Sequence, residues 1–275
     1  MNWGRNIVKE SKRIVVKVGT STLTYDNGKI NLKRIDKLAM VLADLRNQGK
    51  EVVLVSSGSI GVGCSKLNLE ERPSTIREKQ AVAAVGQCEL MHIYSKFFGE
   101  YGNLVGQVLL TRDVVEDDHI RNNVINTFET LLEKGVIPIV NENDTVAIDE
   151  IENICNFGDN DNLSAIVAKL IKADLLIILS DIDGFYDSDP RHNEDSKMIK
   201  EIYEVNKELE EFAGGAGSSQ GTGGMKTKLA AAKVALGAGV NMILTNGKDP
   251  EILFDILEGQ DVGTLFINKR GLINE

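Results

Sequence analysis

Short apolar runs and longer amphipathic stretches take turns along this chain. Residues 13–18 form the first run, and the pattern predicts a strand there. Residues 32–47 then carry Ile35, Leu38, Ala39, Leu42 and Leu45 on one helical face, and Gly49 closes the helix. The run 51–56 is almost continuously apolar, as expected of a strand buried on both faces. The same logic predicts helices over 74–98, 117–134, 162–171, 225–236 and 250–258. It predicts strands over 104–110, 136–140, 174–179, 240–244 and 262–266. Strands that alternate with helices imply an α/β fold, with a mostly parallel sheet and helices on both faces. Polar or glycine-rich turns follow the strands at Gly19, Ser57, Asn141 and Ser180. In open α/β sheets ligands gather outside the carboxyl ends of strands, so these turns form the expected rim of a site.

Composition narrows the function. Among the 275 residues, 41 acidic side chains face 31 basic ones, a net charge of -10. That balance opposes nucleic-acid binding, which needs a basic face. No apolar run reaches the roughly 18 residues a membrane span requires. The first twelve residues are polar and lack the core of a secretion signal. Cys64, Cys88 and Cys155 form no C-x-x-C pair; they are expected to be buried small residues in a reducing, cytoplasmic setting. His92, His119 and His192 show no metal-ligand spacing.

The candidate chemistry lies in the loops. The richest is Gly-Thr-Gly-Gly-Met-Lys-Thr-Lys at 221–228, running into an alanine-rich helix. Glycines that leave N–H groups exposed, followed by a helix start with lysines, are the parts of an anion cradle. A flexible linker before a helix has the same composition. The P-loop and G-x-G-x-x-G patterns are both absent. Lys17 closes a buried strand ahead of Gly19, Thr20 and Ser21. An ammonium there is costly unless it meets an anion or snorkels out. Ser57, Gly58 and Ser59 open a helix after a strand, a second place for an anionic group. Asn141-Glu142-Asn143-Asp144 follows another strand, and Asp144 is suited to an ammonium. Gly158 to Asn162 is polar throughout, more than one helix cap explains. Ser180 and Asp181 sit on the rim after a buried strand, and the acids beyond them lack the calcium-loop spacing.

In this order the loops resemble the amino acid kinase family over about residues 12–268. The resemblance implies a three-layer α/β/α sandwich forming one domain over 1–275. Residues 1–173 or so would take the amino acid and about 174–275 the nucleotide. Many relatives add a C-terminal PUA domain, which is not expected here. Within the family, the motifs are most similar to those of members that phosphorylate L-glutamate on its γ-carboxylate with ATP and Mg²⁺. Members acting on N-acetylglutamate, aspartate, carbamate or nucleoside monophosphates remain alternatives, as does a non-catalytic sensor on the same fold. By the same resemblance Lys17, Lys228 and Asp161 are catalytic, the lysines steadying the transferring phosphoryl group and Asp161 orienting them. Ser57, Gly58, Asn141, Asp144 and Asn160 match glutamate-binding positions. Lys17, Gly19, Ser180, Asp181, Thr222, Gly223, Gly224, Met225, Lys226, Thr227 and Lys228 match ATP-binding positions. No residue is expected to be a direct metal ligand. Proline as a feedback inhibitor, and assembly as a dimer or tetramer, are implied in the same way. The predicted helix over 74–98 is a candidate contact surface.

Overall fold

The computed structural model describes residues 3–146, 160–188, 193, 195–214 and 224–268. In chain order its elements are α1 (Trp3–Lys9), β1 (Arg13–Val18), α2 (Thr20–Leu23), α3 (Leu32–Asn47), β2 (Glu51–Ser56), α4 (Ser59–Lys66), α5 (Ile76–Glu100), β3 (Leu104–Leu110), α6 (Asp113–Glu116), α7 (Asp118–Glu133), β4 (Val136–Glu142), α8 (Asn160–Leu170), β5 (Leu175–Ser180), β6 (Glu201–Ile202), α9 (Lys207–Gly214), α10 (Met225–Gly237), β7 (Asn241–Asn246), α11 (Ile252–Leu257) and β8 (Thr264–Phe266). This is the α/β alternation that the apolar runs predict. The chain separates into two compact units, one of Met1–Lys17 with Gly158–Glu275 and one of Val18–Phe157.

In the Val18–Phe157 unit, β2 and β3 both pair parallel to β4. The apolar face of α3 is fully used: Ile35, Leu38, Ala39 and Leu42 are 0% exposed. Asn31 caps this helix by accepting from the Arg34 N–H. Thr75 and Glu78 form a capping box at the start of α5, which fixes its first turn two residues later than the pattern predicts. Helices α4 and α5 pack closely. A Cβ on Gly86 would overlap the Ser59 carbonyl oxygen and press on the Gly63 nitrogen, so only glycine lets these two helices approach this far.

In the other unit the strand order is β1-β5-β7-β8-β6. Strands β5 and β7 run parallel over six paired positions, while β7 and β8 are antiparallel, so the sheet is mostly parallel as expected. Every residue of β5 is buried, as its unbroken apolar run requires. Four elements escape sequence patterning: α2, α6 and the two-residue β6 because they are short, and α9 because half of its eight residues are charged. The polar N-terminus conceals α1, which Arg5 anchors. That side chain is 1% exposed and donates to the Val262 and Gly263 carbonyls and to Asp261.

Two expected loops prove to be partly regular. Asn141 and Glu142 are the last residues of β4, and Asn160 and Asp161 are the first of α8. In both places polar residues continue an element beyond its apolar stretch. The cysteine expectation also fails in part: Cys64 is half-buried and Cys88 exposed, while Cys155 lies outside the described residues. No described helix is long and apolar enough to cross a membrane.

Candidate active site

Two lysines far apart in sequence meet on one carboxylate. Lys17, near the end of β1, places Nζ 2.6 Å from Asp161 Oδ1. Lys228, in the first turn of α10, places Nζ 3.1 Å from Asp161 Oδ2. The three side chains are 7%, 6% and 0% exposed respectively. Thr227 Oγ1 also donates to Oδ2, at 3.1 Å. Asp161 stands in the first turn of α8, where the helix dipole favours an acid, and α8 packs against α10. Burial raises its pKa, but the attraction of Lys17 and Lys228 outweighs that and holds it below the ordinary value of 3.8. The carboxylate therefore stays ionised at neutral pH, and both amines are fixed against it. Charged groups this dry act on a neighbouring anion far more strongly than they would in water.

The start of α10 adds donors. Gly224 is its N-cap, in an extended conformation, and no side chain among the described residues caps the helix. The N–H groups of a first turn are a natural cradle for phosphate oxygens. Met225 and Lys226 lie in that turn; Thr222 and Gly223 lie outside the described residues. Ser180 ends β5, 8% exposed, with its hydroxyl donating to Asp181 at 3.0 Å. Asn160 opens α8 directly before Asp161.

The Val18–Phe157 unit holds a second polar cluster. Gly58 caps α4 at a φ of 103°, a left-handed conformation that favours glycine. It turns the chain so that Ser59 Oγ donates to Asp144 Oδ2 at 2.6 Å. Burial pushes the Asp144 pKa up and the Ser59 bond only partly offsets this. Asn141 is 2% exposed; its Nδ2 donates to Gln87 Oε1 at 2.9 Å. The Ser57 N–H donates to the Val18 carbonyl. Gly19, by contrast, is an extended N-cap of α2 and shows no left-handed strain. The Ser-Gly-Ser motif marks Ser59 in the sequence. No signal marks Gln87 or Tyr94, which look like ordinary interior helix positions.

A carboxylate clamped between two buried amines beside a glycine-led helix start is suited to steadying a phosphate-sized anion. The sequence model of the amino acid kinase family matches residues 12–246, and the chain belongs to that family. The chain is 72% identical over 267 residues to a glutamate 5-kinase from Clostridium perfringens, covering 97% of this chain and 99% of that one. It is 65% identical to a glutamate 5-kinase from Listeria innocua, covering 97% and 96% of the two chains. A carbamate kinase from Giardia lamblia bound to AMP-PNP shares the fold at a TM-score of 0.65, with 18% identity over 94% of this chain and 99% of that one.

Proposed function

We infer that this chain transfers the γ-phosphoryl group of ATP to the γ-carboxylate of L-glutamate, giving ADP and L-glutamyl 5-phosphate. This is the first step of proline biosynthesis. The observation that carries the reading is the meeting of the Lys17 and Lys228 amines on Asp161. The relatives named glutamate 5-kinase supply the choice of acceptor.

A carboxylate oxygen of glutamate attacks the γ-phosphorus, and the bond from that phosphorus to the β–γ bridging oxygen breaks. The electron pair leaves with ADP. No proton moves, because a free γ-carboxyl titrates near ~4.3 and is ionised at neutral pH. The obstacle is the approach of one anion to another. Lys17 answers it at the transferring phosphoryl oxygens, and Lys228 at the β–γ side, where charge builds as the bond breaks. Asp161 is the common brace that keeps the two amines apart and aimed. Met225, Lys226 and Thr227 hold the phosphates through the helix start, with Thr222, Gly223 and Gly224 ahead of them. Ser180, Asp181 and Gly19 take the rest of the nucleotide. Asp144 receives the α-ammonium of glutamate, and Ser57, Gly58, Asn141 and Asn160 its polar groups.

Mg²⁺ neutralises charge on the triphosphate when it is bound. Among the described residues no three His, Cys, Asp or Glu side chains form a group that could hold an ion. Mg²⁺ binds well through phosphate oxygens and water with one or two carboxylates at most; departing from the expectation of no direct protein ligand, Asp181, an exposed carboxylate after β5, is the side chain that would hold it. We further propose a cytoplasmic enzyme that assembles from identical subunits. Proline shares the α-carboxylate and ammonium of glutamate and would compete at Asp144.

Assay of ADP release with glutamate, N-acetylglutamate, aspartate, carbamate and UMP tests the reading. Glutamate is expected to be the preferred acceptor. Activity with N-acetylglutamate but not glutamate rejects the assignment of Asp144 to a free ammonium.

A further inference from the structure

Gln87 lies on the inner side of α5, 8% exposed, and holds the Asn141 amide nitrogen at 2.9 Å. The orientation of both amides is determined. Asn141 Oδ1 accepts from the Glu142 N–H at 2.9 Å, and a backbone N–H can only donate. The Asn141 nitrogen must then face α5, and Gln87 must offer it oxygen. This leaves Gln87 Nε2 buried, with no hydrogen-bond partner among the described residues. A buried donor without a partner works against stability, and an apolar side chain of the same shape would avoid the loss. A buried amide pair thus sets the geometry at the end of β4, beside the loop that carries Asp144. Polar groups placed where an apolar pair would pack collect at functional sites. Two turns further along α5, the Tyr94 hydroxyl pairs with Ser56 Oγ at 2.8 Å. The β2–β4 register, Leu54 with Ile139 and Val55 with Val140, carries Ser56 to the level of Asn141. One helix thus holds two neighbouring strand ends, and the Asn141 contact is the one made between amides.

We propose that Gln87 is a positioning residue for the amino-acid substrate. By fixing the orientation of the Asn141 carboxamide, it sets the contact Asn141 makes with glutamate. The inference rests on the glutamate-phosphorylating reading above and adds to it a residue that acts only through Asn141. Its signature is coupling between the two positions.

The test is a double-mutant cycle on steady-state kinetics, using Gln87→Met, Asn141→Ala and the pair. Methionine keeps the length of the side chain and removes both polar ends. Gln87→Met is expected to raise the KM for glutamate about tenfold while the KM for ATP stays within about twofold, the pattern of lost ground-state binding to one substrate. Adding Gln87→Met to Asn141→Ala is expected to change the glutamate KM by no more than about twofold. An unchanged KM in Gln87→Met, or the same tenfold loss in both backgrounds, overturns the proposal. A fall in melting temperature with both KM values intact would mark Gln87 as structural and overturn it too. Should Gln87→Met fail to fold, Gln87→Asn, polar but one methylene shorter, goes through the same cycle with the same criteria. A wild-type chain that releases no ADP with glutamate would overturn the functional reading and this inference together; an active wild type with an uncoupled pair overturns the inference alone.

Discussion

Asp161 carries the most at the scale of single residues, because two buried ammonium groups depend on it. Replacing it with alanine leaves Lys17 and Lys228 facing each other without their shared carboxylate. Breaking a buried pair from one side typically costs about 3–5 kcal/mol, so Asp161→Ala should lose that much in urea unfolding. Its pH behaviour follows from its lowered pKa. The stabilisation is complete above the unfolded value, near ~3.9, and is lost as pH falls through the depressed folded value. Asp144 runs the other way. Its pKa is raised by burial, so its ionisation works against the folded state as pH rises through that value. For activity the sign is reversed, since only the ionised form can hold an ammonium. The acid limb of kcat/KM for glutamate should therefore contain, beside the ionisation of the substrate's own γ-carboxyl, an enzyme ionisation above the ordinary aspartate value of 3.8, and Asp144→Asn should remove the enzyme's share and leave the substrate's. Asp144→Ala should chiefly raise the glutamate KM. Lys228→Met should lower kcat by about 100- to 1000-fold, the usual loss when one preorganised electrostatic contact to a transition state is removed. It should fold normally, since Asp161 keeps Lys17 as partner.

Helices act here as rulers for loops. Helix α5 contacts α4 at Gly86, Asn141 through Gln87 and Ser56 through Tyr94. Gly86→Ala should force α4 and α5 apart. Overpacking of this kind costs about 1–3 kcal/mol, and the KM for glutamate should rise with it because Ser59, the partner of Asp144, moves with α4. Most of the long elements could be read from sequence, since their apolar positions follow one period and are buried as predicted. Helix α3 was legible residue by residue: Ile35, Leu38 and Leu42 carry the pattern and are 0% exposed. Elements set by tertiary contacts were not legible. Helix α1 depends on Arg5 reaching the chain before β8, and β6 is two residues held beside β8. The ends of β4 and α8 were misread because their polar residues, Asn141 and Asp161, belong to both an element and a cluster.

For the molecule as a whole, the sequence motifs led to the family before any geometry did, while the internal wiring appeared only in three dimensions. That Lys17 and Lys228 share a carboxylate could be expected from the resemblance; that Gln87 and Tyr94 brace the second cluster could not, because no motif marks them. A net charge of -10 gives no long-range help to anionic substrates, so attraction must come from local groups such as the buried lysines. The central claim is that these lysines move a phosphoryl group onto a carboxylate, and the product of that step is an acyl phosphate. Hydroxylamine converts an acyl phosphate to a hydroxamate, which can be measured directly. With glutamate and Mg-ATP, the wild-type chain should form γ-glutamyl hydroxamate in step with ADP, and Lys228→Met should form at least about 100-fold less. ADP released without hydroxamate, or hydroxamate formed equally by both proteins, would contradict the account.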